Sequence, residues 1–144
     1  MAITQQLRHE IADQVTAWEG VATTEQADGR TVFTYAGTEF AHIDSDGSLD
    51  LPLSRRLRTA LVAADRAEHH PVYTETGWTT FEVRGESDIE PAVTLCRLAY
   101  VYRRLDESTH DDRAELAEGV DLDAELEAFG ADDGVRDAML ALRE

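Results

Sequence analysis

Three chain-reversal signals fall within residues 21–51 and restrict the fold more than any other feature. They are Asp28-Gly29, Ala36-Gly37 and Asp46-Gly47, spaced 8–10 residues apart. Asp-Gly readily takes the positive-φ geometry of tight hairpin turns, and reversals this close leave room only for short strands between them. Thr31-Val32-Phe33-Thr34-Tyr35 is β-branched or aromatic throughout, a composition that suits a pleated, half-buried surface. Residues 21–26, 31–35, 39–43 and 48–51 therefore read as four antiparallel strands in a meander.

The flanking segments supply helices and further strands. Ile3, Leu7, Ile11, Val15 and Trp18 recur at spacings of 4, 4, 4 and 3, which is one apolar stripe of a helix, with Gly20 as its stop. Pro52 opens a second helix with Leu53, Leu57, Ala60, Leu61 and Ala64 on one face. Residues 67–73 and 78–83 read as two more strands. Ser87-x-x-Glu90 has the pattern of a capping box with Pro91 in the first turn, and it starts a long helix to about Leu105. Ala92, Leu95, Ala99 and Tyr102 line one side of that helix, but Cys96, Leu98, Tyr100 and Val101 are apolar too. Such a helix needs cover on two sides: the sheet on one, the C-terminal tail or a partner chain on the other. Leu116, Leu122, Leu126, Phe129, Val135, Met139, Leu140 and Leu142 give the tail apolar surface with which to dock. The expected fold is α+β, an antiparallel sheet of about five or six strands with helices packed on one face and short C-terminal helices. Residues 1–105 form its core and residues 106–144 an acidic helical extension, docked on the core or on a partner chain.

Charge narrows the setting and the partners. The net charge is −17, all 13 basic residues are Arg, and the chain has neither Lys nor Asn. In molar salt the Debye length falls to about 3 Å, so crowded carboxylates are screened from one another. The composition is that of a halophilic, haloarchaeal-type cytoplasmic protein. Residues 1–105 carry 16 acidic and 10 basic side chains, net −6, whereas residues 106–144 carry 14 and 3, net −11. This balance argues against a nucleic-acid partner, which is held by Lys and Arg on phosphates. No apolar signal core stands at the amino terminus and no segment approaches 18 apolar residues, so neither export nor a membrane partner is expected. Cys96 is the only cysteine. It excludes an intramolecular disulfide and reads as a buried thiol.

Several short blocks resemble the luciferase-domain family, a group without an assigned activity. They are Gly37-Thr38-Glu39 with Ala41-His42, Leu51-Pro52-Leu53 with the Arg-rich helix start, Leu61-Val62, Ala67-Glu68-His69-His70, Gly77-Trp78-Thr79-Thr80-Phe81, and Leu95 to Arg104. The resemblance covers residues 18–105. The order of elements is also similar to that of YjbR-like α+β domains. The family's name licenses no light-emitting reaction here.

Histidine plus acid is the best chemical constellation. His42 lies on the third strand, expected to share a face with Phe40 and Asp44 by alternation. His69 and His70 precede Pro71 on a later strand, and Asp44, Asp46 and Asp50 are near His42 in sequence. The candidate pocket is His42, Asp50, His69, His70 and Trp78. If the strands meet, these groups converge as ligands or as an acid–base pair. Asp44-Ser45-Asp46-Gly47 fails as a calcium loop, because its glycine comes fourth and Arg55 stands at the twelfth place. Arg55 and Arg56, with Arg58, form a candidate anion site at a helix start. No phosphate loop, nucleophile elbow or HExxH spacing is present, so no cofactor and no dedicated metal motif is expected. The leading reading is a binding or interaction module for an unknown small molecule or protein. The alternatives are a metal-binding or hydrolytic enzyme using His42, His70 and a nearby Asp, and a nucleic-acid-associated regulator. A homodimer through the long helix or the tail stays open.

Overall fold

The computed structural model describes residues 5–70, 75–107 and 120–141. Its elements are α1 (Gln5–Val15), β1 (Val21–Glu25), β2 (Thr31–Tyr35), β3 (Thr38–Ile43), β4 (Ser48–Pro52), α2 (Arg55–Ala63), β5 (Glu68–His69), β6 (Trp78–Glu82), α3 (Ile89–Glu107), α4 (Leu122–Phe129) and α5 (Asp133–Leu140). The six strands form one sheet in the order β1-β2-β3-β4-β6-β5, and every pairing is antiparallel. The expected meander is β1 to β4. Ile3, Tyr73, Leu116 and Leu142 of the sequence reading lie outside the described residues.

One face of the sheet is apolar and carries the helices. Phe33, Ala41, Ile43, Leu49 and Leu51 are fully buried there, under α3, which crosses β2, β3 and β4. Tyr100 of α3 packs its ring on Tyr35 and Phe40 at 5.5 and 5.7 Å. The second side of α3 is covered by α1 and α4, and α5 packs on α2. Leu122, Leu126, Phe129, Val135 and Met139 are all buried in the same core cluster, so the extension supplies the cover that the all-round apolar helix needs. Cys96 lies within that helix, and burial pushes its thiol up to about 12.

Two helix starts differ from expectation for local reasons. Pro52 ends β4 rather than opening α2, because Ser54 takes the cap position and its Oγ accepts from the N–H of Leu57 at 3.1 Å. At α3 the acid of the cap is Asp88, not Glu90. The N–H groups of Arg84 and Gly85 donate to its carboxylate at 2.8 and 3.3 Å, and a 3-10 turn over Glu86–Asp88 precedes the helix. Gly77 allows β6 to begin against the end of β4: a Cβ there would lie 1.7 Å from the Leu53 carbonyl oxygen.

Candidate metal centre on the open face of the sheet

The face away from the helices carries a polar row across the strands. The register places Val32 beside His42, His42 beside Asp50, Asp50 beside Thr80 and Thr80 beside Glu68. The expected company of His42 is corrected by a bulge. Phe33 pairs with Ala41 but Thr34 pairs with Glu39, so Phe40 is an extra residue in β3. A bulge breaks simple alternation. Phe40 therefore joins the core beneath Tyr100 instead of sharing a face with His42, and Glu39 turns to the same side as His42.

The consequence is a histidine clasped at both nitrogens. His42 Nδ1 lies 2.7 Å from Glu39 Oε2, and Nε2 lies 3.0 Å from Asp50 Oδ2. Asp44 Oδ1 is 3.9 Å from the same Nε2, and His70 Nε2 is 3.7 Å from Asp50 Oδ2. Thr80 donates its hydroxyl to the other Asp50 oxygen at 2.7 Å. His42, Asp50 and Thr80 are all buried. Trp78 stands over both imidazoles, with ring centroids 5.5 Å from His42 and 6.4 Å from His70. Arg30, Glu39, His42, Asp44, Asp50, His70 and Trp78 line one open cleft of about 470 Å³.

Charge on this network follows from the geometry. Burial opposes the imidazolium of His42, but hydrogen bonds to Asp50 and Glu39 outweigh it and raise its pKa to about 9. Both ring nitrogens then donate at neutral pH. Burial alone would raise Asp50, yet its bonds to His42 and Thr80 hold it below the usual carboxylate range. Asp44 is raised, chiefly by burial.

Of the residues singled out from sequence, His42, Asp50, His70 and Trp78 come together here. His69 does not: it is exposed on β5 and outside the cleft, because neighbouring strand residues point opposite ways. Arg55 and Arg56 are exposed in the first turn of α2 and also stand outside it. Arg58 is buried and donates to the Thr76 carbonyl. Asp46 accepts from the Ser48 N–H within the hairpin turn, consistent with a turn rather than a calcium loop. Sequence reasoning did not place Glu39, Thr80 or Arg30 in the site. Only a bulge signal in β3 could have found Glu39, and an even spacing from Trp78 could have found Thr80.

His42, Asp50, His70 and Trp78 all fall inside a segment with a known likeness. Residues 37–99 match the family model of the Luciferase domain. Over this segment the chain is similar to that family. The match ends within α3, so α4 and α5, which complete the cover of that long helix, lie beyond it. No curated protein and no solved structure matches the chain. Among the described residues no helix is long and apolar enough to cross a membrane.

Proposed function

We propose that this domain is a binding module for a divalent cation, held by Nε2 of His42 and His70 and by the carboxylates of Asp44 and Asp50. The Glu39–His42 contact carries the reading. A histidine ligand normally gives its second ring nitrogen to a carboxylate or carbonyl, which orients the ring and raises its basicity. Glu39 occupies that outer position on Nδ1 and leaves Nε2 aimed at the acids. Ligand atoms of His42, Asp44 and Asp50 lie within 4.8 Å of one another. Bonds of about 2.0–2.2 Å to a cation set neighbouring ligand atoms roughly 3.0–3.5 Å apart, so His42, Asp44 and Asp50 would draw together around the ion, and His70, 3.7 Å from Asp50 but outside that cluster, would turn in to complete the shell. Two imidazoles and two carboxylates suit Zn²⁺, Mn²⁺ or Fe²⁺ better than Ca²⁺. The composition supports placing this module in a salt-adapted cytoplasm.

The test is calorimetry with Zn²⁺ and electron paramagnetic resonance with Mn²⁺ on chelator-treated protein in high KCl. One cation per chain is expected. His42→Ala and Asp50→Asn should abolish binding, and Glu39→Gln should weaken it roughly 10- to 100-fold as an outer-ligand change. Absence of saturable binding, or unchanged affinity in His42→Ala, overturns the reading.

A further inference from the structure

A second recess lies on the opposite side of the sheet, between α3 and α4, and has a volume of about 230 Å³. Leu98 and Val101 of α3 and Leu122, Leu126 and Phe129 of α4 give it apolar walls. All five side chains are buried, so the space is a gap within the packing of two helices. Cavities of about 150 Å³ with such linings already take up benzene.

One cation stands at its edge. Arg97 donates from Nε and Nη2 to the two oxygens of Glu125 at 2.8 and 2.7 Å. Its guanidinium is stacked 5.1 Å from the Trp18 ring and 5.0 Å from that of Tyr100. Among the described residues Nη1 has no hydrogen-bond partner. Glu125 thus engages one side of the planar fork and leaves the end-on edge for a second carboxylate, the group that arginine binds best in this geometry. The aromatic rings fix the guanidinium in place and reduce its hydration.

We propose that this recess is a binding site for a small monocarboxylate with a compact apolar body, an arylalkyl or branched-chain acid. The hydrocarbon part fills the gap between α3 and α4, and the carboxylate meets Arg97. The site does not depend on the cation reading. It is built jointly by the long helix α3 and by the extension beyond it, so a bound acid would also fasten the extension to the domain.

The experiment is calorimetry and thermal denaturation of the full chain in high KCl with 3-phenylpropionate and its neutral amide. Saturable one-site binding of the acid is expected, with the amide weaker by about tenfold, the worth of one charge-assisted hydrogen bond. The double variant R97Q/E125Q removes the charge without leaving a lone carboxylate, and should bring acid and amide within about twofold of each other. Val93→Phe, at a half-buried lining position, should abolish binding of both while leaving the circular dichroism spectrum and Zn²⁺ binding unchanged. If that ring disturbs the fold, Ala128→Trp at the exposed mouth serves in its place. Absence of saturable binding by either probe, equal affinity for acid and amide in the unmodified chain, or full affinity in a folded recess-blocking variant overturns the proposal.

Discussion

The two faces of the sheet are made by the same strands and obey opposite rules. On the helix side, Phe33, Ile43, Leu49 and Leu51 are buried without polar atoms of their own, and packing density decides what is tolerated. On the open side, His42, Asp50 and Thr80 are as well buried, yet each is held by named hydrogen bonds. A buried polar row is stable only when every member is satisfied. The first face is therefore graded by volume, the second by completeness. The first carries the fold and the second carries the chemistry.

The largest effect expected from breaking this division is on the apolar side. Phe40→Ala removes a ring packed on Phe33 and Tyr100 and should lower unfolding free energy by about 3–5 kcal/mol, measured in urea, while Zn²⁺ affinity stays near normal. Equal loss of cation binding would mean that the faces are not separable. Next comes Asp50→Asn, which leaves the shape intact but ends the charge pair with His42. It should cost about 2–3 kcal/mol and abolish cation binding; a neutral effect on stability would show that the row is loosely made.

Third is pH, in the cation-free protein. The folded pKa of His42 is raised to about 9 against an unfolded value of about 6.5. Its contribution is complete below about pH 6.5 and is lost as pH rises through about 9. Discounted for the opening of the cleft, the change is roughly 2 kcal/mol, and His42→Gln should flatten it. A urea midpoint that holds constant from pH 6 to 9.5 would refute the clasped imidazolium. Smallest is Thr80→Val, worth about 1 kcal/mol. Thr80 holds Asp50 Oδ1, so the variant should also loosen cation binding by about tenfold as an outer-ligand change. Unchanged binding would remove Thr80 from the positioning role.

Much of the fold was legible because its signals are local. Asp28-Gly29, Ala36-Gly37 and Asp46-Gly47 mark the hairpins, and the apolar girth of residues 92–105 demands cover on two sides. The helix starts were less legible, since Ser54 and Asp88 act through hydrogen bonds that spacing alone does not rank. The candidate site was half legible. His42, Asp50, His70 and Trp78 carry distinctive chemistry and sit on strands or, for His70, just past one, so their convergence needed that β4 and β5 both flank β6. Glu39 was hidden, because an acid three residues before a histidine points away from it in a regular strand. His69 was the converse: chemically as suggestive as His70, but on the wrong side of a two-residue strand.

That bulge has a consequence for recognising such centres elsewhere. Phe40 is supernumerary in β3; with it gone, Glu39 and His42 would stand two apart and still face the same way. Glu-x-x-His in a bulged strand and Glu-x-His in a plain one are thus the same arrangement in space. A search keyed to a fixed interval between acid and histidine would find one and miss the other, whereas a search keyed to ladder position would treat a one-residue gap here as silent.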